Sequence, residues 1–126
     1  MPVEEVITMD ESILTSIKKL LGIAEDYTHF DTDIMIHINS IFMVLMQLGV
    51  GPKEGFSIVD KDDVWTDFMP DCAILNTVKS YMYLRVKLLF DPPVGSGIES
   101  MNRIISEYEW RLNVAVDPGK EEIQNE

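Results

Sequence analysis

Ile13, Leu14, Ile17, Leu20 and Leu21 recur at helical spacing and form one apolar face. Thr8 and Glu11 have the Ser/Thr-x-x-Glu spacing of a capping box, so the pattern predicts a first helix over 9–21, and Gly22 is placed to end it. Glu25 to Asp33 reads as an acidic, turn-rich connector, and Asp31 or Thr32 is the expected cap of a second helix over 32–48. Its apolar residues, Ile34, Ile38, Ile41, Phe42, Leu45, Met46 and Leu48, nearly encircle it. Such a helix is central in its domain or is covered by a partner. Gly49, Gly51 and Pro52 stop it.

The pattern is least regular over 50–69. Phe56 to Val59 alternates weakly and predicts one short strand, Asp60 to Asp63 reads as a turn, and Val64, Trp65 and Phe68 read as a helical turn whose aromatics pin the segment. A loop of this length inside a compact domain is often functional. Pro70 fits the first turn of a third helix over 71–90, carrying Ile74, Val78, Tyr81, Met82, Leu84, Leu88 and Leu89. Asp91-Pro92-Pro93 ends it, because proline lacks the backbone N–H and restricts the residue before it. Ser96 and Glu99 make a second capping box for a fourth helix over 97–114, with Ile98, Met101, Ile105, Tyr108 and Leu112 on one stripe. The short connection predicts that the fourth helix runs back antiparallel to the third, which should be the most buried. The expected fold is all-α: a compact bundle of about four helices with an irregular central loop and room for one short strand or hairpin. Residues 1–117 read as a single domain, and 118–126 as a flexible charged tail.

Charge narrows the functions available. The net charge is −12, which opposes a surface that binds nucleic acid by neutralising phosphates. It is compatible with a protein that surrounds DNA without gripping it. The charge is also uneven. Residues 24–71 hold ten acids against two lysines, whereas 72–114 hold four acids against five bases. Such polarity suits head-to-tail association of unlike surfaces. The N-terminal stretch is acidic and lacks the apolar core of a signal peptide, and no apolar run is long enough for a membrane span, so a cytoplasmic origin is expected.

Candidate chemistry is sparse. Cys72 is the sole cysteine, which excludes an intrachain disulfide, and it reads as a buried structural thiol. Asp33 and His37 form an i,i+4 pair better suited to a surface ion pair or cap than to a metal. Asp60, Asp62 and Asp63 resemble a calcium loop but lack its sixth-position glycine and closing glutamate. The pairs Gly49/Gly51 and Gly95/Gly97 continue into no phosphate-binding fingerprint and read as helix ends. Met43, Met46, Met69, Met82 and Met101 read as gap-fillers in the core, with an adaptable subunit interface as the alternative. No catalytic, cofactor-binding or metal site is expected.

The run Tyr81-Met82-Tyr83-Leu84-Arg85-Val86-Lys87-Leu88-Leu89-Phe90-Asp91-Pro92-Pro93, followed by Glu107-Tyr108-Glu109-Trp110-Arg111-Leu112-Asn113, resembles the C-terminal half of the head–tail connector (adaptor) proteins of tailed bacteriophages. The helix from Leu14 to Gly22 and the Gly49-Val50-Gly51 stop are similar too, so the likeness covers roughly residues 10–117. The resemblance implies a helical structural protein without enzymatic activity, about twelve copies of which form a ring beneath the portal protein. The ring would extend the DNA channel toward a downstream tail-completion or stopper protein, with DNA passing through unread. The chain would then be made in the host cytoplasm and end in the virion. The segment after about Leu112 would contact the portal, and 50–69 would face the tail.

Phe42, Met43, Met46, Trp65, Phe68, Arg103, Trp110, Arg111 and Lys120 are the candidate subunit or partner contacts. Two other roles fit an acidic helical chain: a cytosolic regulator that mimics DNA or inhibits a protein, and an accessory subunit of an enzyme. Mimicry needs carboxylates arrayed on a folded surface, whereas many of these lie in connectors.

Overall fold

The computed structural model describes residues 11–116. Its helices are α1 (Ile13–Leu21), α2 (Asp31–Gln47), the short α3 (Trp65–Phe68), α4 (Ala73–Phe90) and α5 (Gly97–Val116). The four long ones correspond to the four the periodicity predicts, and the all-α class holds.

Their ends differ from the expectation in ways local chemistry explains. α1 begins at Ile13 rather than near Met9: the Ser12 hydroxyl accepts from the Thr15 N–H at 3.2 Å, so the cap lies four residues beyond Thr8, which falls outside the described residues. At its other end Gly22 takes φ 83°, and the Gly22 and Ile23 N–H groups close on the Lys19 and Lys18 carbonyls. Asp31 is not the cap of α2 but its first residue, placed where a carboxylate meets the positive end of the helix. Pro70 precedes α4 instead of entering its first turn, and Cys72 is the N-cap, exposed and without a side-chain capping bond. The buried-thiol expectation for Cys72 is therefore wrong. Gly97 opens α5, where the fourth helix is expected to start, and the helix runs to Val116.

α4 is the centre of the bundle and packs on α1, α2 and α5. Its Leu75, Val78, Tyr81, Met82 and Val86 are buried. The turn after Phe90 returns α5 antiparallel, so that Leu112 lines a groove with Ala73, Ile74 and Thr77 while Glu109 reaches Tyr81 and Arg85. α1 and α2 cover the rest of α4 with Ile13, Leu14, Ile17, Ile34, Ile38, Ile41, Phe42 and Leu45. Burial of this set, at about 1.5–3 kcal/mol for each large side chain, is the main stabilising term.

The segment between α2 and α3 forms no strand among the described residues. Ile58 finds its partners in a side chain instead: its N–H donates to Asn39 Oδ1 at 2.8 Å and its carbonyl accepts from Asn39 Nδ2 at 3.0 Å. Asn39 mimics one rung of a ladder, and the backbone needs no second strand. An isolated bridge between Ser12 and Val64 ties the end of the segment to α1, with Ile13 N–H donating to the Asp63 carbonyl and Trp65 N–H to that of Glu11.

Candidate functional site

The polar groups inside the fold are spoken for. Lys18, on the apolar side of α1 and 2% exposed, reaches three oxygens: the carbonyls of Glu25 at 3.0 Å and Tyr27 at 2.8 Å, and Asp31 Oδ1 at 2.8 Å. That matches the three hydrogens of an ammonium and fastens the α1–α2 connector. Tyr81 donates to Glu109 at 2.7 Å, and Arg85 reaches the same carboxylate oxygen at 2.9 Å. Burial pushes the Tyr81 phenol above its ordinary range, and the hydrogen bond to Glu109 adds to the push, with Arg85 opposing. Trp65 donates from Nε1 to Ser16 Oγ at 2.8 Å, which passes a bond on to the Ile13 carbonyl. In the acidic turn Asp63 accepts from the Val59 and Asp60 N–H groups, and Asp60 from that of Asp62. These carboxylates brace their own backbone. Among the described residues no group of three or more His, Cys, Asp or Glu is placed to hold a metal. No described helix is long and apolar enough to cross a membrane.

What remains is surface. Along α2 the residues Asp33, Ile36, Ser40, Met43 and Gln47 are all exposed. Their separations are 3, 4, 3 and 4 residues, the spacing that keeps one seam of a helix facing a partner helix. Ile36 is 58% and Met43 54% exposed. Shallow grooves flank the seam. Near its start Phe30, Ile36, His37, Leu89 and Phe90 line one, and near its end Met43, Met46, Glu54 and Phe56 line the other. On α5 a second seam of the same spacing runs through Ser100, Arg103, Glu107, Trp110 and Val114, the first four exposed and Val114 half-buried. Trp110, 66% exposed, stands in it, and Arg111 lies beside it, bonded to Glu107 at 2.6 Å. α4 separates the two helices along most of their length. Near their C-terminal ends Asn113 donates to the Leu48 carbonyl at 3.1 Å.

The candidate contacts divide accordingly. Phe42, Trp65 and Phe68 are core residues, at most 4% exposed, and are corrected from surface to interior: with Phe56 they form an aromatic cluster under the central segment. Met43 is exposed rather than a gap-filler, and Met46 is half-buried at the groove. Arg103, Trp110 and Arg111 share the outer side of α5. Lys120 and the proposed tail lie outside the described residues. Leu20, counted on the apolar face of α1, is 53% exposed. Ile36 and Lys18 were missed. Ile36 sits two residues from both Ile34 and Ile38, which on a helix means the opposite side. Lys18 falls four residues after Leu14, on the buried face, where a lysine signals an internal partner.

A family model described as "Phage connector protein" matches residues 13–119. No curated protein and no solved structure matches the chain.

Proposed function

The chain belongs to the phage connector protein family, a structural family, and from that premise we propose that it assembles as a ring beneath the portal and links the head to the tail. The observation that carries the reading is the extent of the match: residues 13–119 take in all five helices of the described residues. The ring, of about twelve copies, extends the DNA channel, and a closed rotation is required because an open head-to-tail contact would grow filaments. Its partners are further copies of itself, the portal protein and a downstream stopper or tail-completion protein. The chain is made in the host cytoplasm and incorporated into the virion, and it performs no catalysis. Two surface features support this. Ile36, Met43 and Trp110 expose apolar surface along the two seams, while other exposed apolar residues, such as Leu20, Val59, Val94 and Ile104, lie off them. A net charge of −12 keeps passing DNA from being held.

The reading as a DNA mimic loses support from the same geometry. Asp31, Asp60, Asp63 and Glu109 are engaged by the chain's own lysine, backbone N–H groups, tyrosine and arginine.

Native mass spectrometry of the full chain, alone and with its portal protein, across salt concentration, tests the proposal. A closed oligomer on the portal is expected. A chain that remains monomeric with the portal present, or that binds duplex DNA tightly on its own, refutes it.

A further inference from the structure

We infer that the subunit contact of the ring joins the α5 seam of one copy to the α2 seam of the next, with Trp110 as its anchor; this rests on the ring assembly proposed above. Three observations carry it.

Both seams have the same 3, 4, 3, 4 spacing over two heptads, so each offers a straight strip of about 20 Å against which a helix can pack. The most exposed tryptophan or methionine on each helix falls within its seam: Trp110 on α5 and Met43 on α2. A tryptophan two-thirds exposed in mid-helix is the residue type that anchors interfaces, and methionine adapts to such a partner.

The unpaired charges are complementary, since Glu107 of the α5 seam is already held by Arg111 at 2.6 Å. Asp33 opens the α2 seam and Glu54 borders it, and neither makes an ion pair among the described residues. Arg103 in the α5 seam bonds the Ser100 hydroxyl at 3.4 Å and has no carboxylate partner among them. Two α2 seams meeting would set carboxylates against carboxylates, whereas α5 against α2 brings arginine to them.

The two seams lie on different helices with α4 between them. One copy can therefore use both at once, which a head-to-tail ring needs and a two-fold dimer does not.

Ser40 and Glu107 occupy the middle of their seams, so they meet whether the paired helices run parallel or antiparallel. That permits a direct test in a Cys72→Ser background, which removes the single exposed thiol. The full-length S40C/E107C protein is oxidised on the portal. It should give a ladder of linked multimers on a non-reducing gel, while S40C alone and E107C alone stay unlinked. Linked dimers from either single variant, or an unlinked double variant that still forms portal-bound rings, overturn the inference. If the double variant does not assemble, Trp110 decides. W110E should keep the wild-type thermal midpoint and lose ring formation by at least about tenfold, while W110F retains it. W110E rings that form as well as the wild type overturn the seam pairing and leave the ring reading intact. A wild-type chain that forms no ring on the portal removes both, and that arm is read first.

Discussion

Replacing Lys18 by methionine keeps the buried stem and removes the charge, and it isolates the role of one ammonium in holding the α1–α2 connector. In the folded chain that group bonds the Glu25 and Tyr27 carbonyls and the Asp31 carboxylate, all within 3.0 Å. Removing one member of a buried ion pair costs about 3–5 kcal/mol when the other is left dry. The upper end does not apply, because the Asp31 side chain is 23% exposed and Glu25 and Tyr27 are surface residues, so water can replace part of what is lost. A loss of about 2–3 kcal/mol is expected, since hydrogen bonds to charged groups are worth about 1.5–3 kcal/mol each before such compensation. Urea denaturation should show it as a midpoint lowered by roughly 1–2 M at constant slope.

The pair term is separated by a double-mutant cycle with Asp31→Asn. Lys18→Met should cost about 1 kcal/mol less in the Asp31→Asn background, because no carboxylate is then stranded. Chymotrypsin should also cut at Tyr27 faster in Lys18→Met, since the connector loses its fastening while the bundle stays folded. A midpoint within about 0.3 M of the wild type, or equal costs in both backgrounds, would show that the ammonium does not hold the connector.

Four further substitutions test the fold around the seams. Tyr81→Phe should cost about 1–2 kcal/mol at neutral pH through the bond lost to Glu109. Because folding raises the Tyr81 pKa, its stabilisation is fully present below the ordinary tyrosine pKa of about 10 and is lost as pH rises beyond it; urea midpoints from about pH 8 to 11 should therefore fall more steeply for the wild type than for Tyr81→Phe. Asn39→Ala should cost about 1–3 kcal/mol and speed hydrogen exchange at the Ile58 amide, with helical circular dichroism unchanged. Gly51→Ala should destabilise by about 2–4 kcal/mol, because Gly51 has φ +86° and an added Cβ would collide with the Phe68 ring. Gly22→Ala, at φ +83° but with open space around it, should cost only about 1 kcal/mol in thermal unfolding.

The helices were legible where local chemistry decides their ends. Asp91-Pro92-Pro93 stops α4 by itself, and Gly22 closes α1 through its own φ. Apart from the helix starts, errors came where a distant group intervened. Phe56 to Val59 has a strand's alternation, but Asn39, nineteen residues earlier than Ile58, takes the ladder bonds. Phe42, Trp65 and Phe68 read as candidate contacts because the helix pattern cannot show that the central segment folds back over α2; once it does, the Phe42 and Phe68 rings pack at a tilt with centroids 4.8 Å apart. Of the candidate surface, Trp110 and Arg103 were legible as outward residues of α5 because they lie off its Ile105–Leu112 stripe. Ile36 was legible in principle by the same rule, but it is masked by a helix in which nearly every turn carries an isoleucine.

In the proposed ring each chain carries −12, and magnitudes decide whether the copies can approach. Two such charges treated as points roughly 35 Å apart, about one domain diameter, repel by ~17 kcal/mol in unscreened water. With a screening length of about 30 Å at 0.01 M salt, ~5 kcal/mol remains, and with about 8 Å at 0.15 M only ~0.2 kcal/mol. An arginine–carboxylate contact at about 4 Å behaves differently: it is worth ~1 kcal/mol in water and keeps more than half of that at 0.15 M, because its separation is shorter than the screening length. Salt therefore removes the repulsion between copies much faster than it would remove the proposed contact between Arg103 and an acid such as Asp33. The burial of Trp110 and Met43 is untouched by screening. Assembly of the proposed ring is therefore expected to strengthen from low to physiological salt, which native mass spectrometry across salt concentration checks.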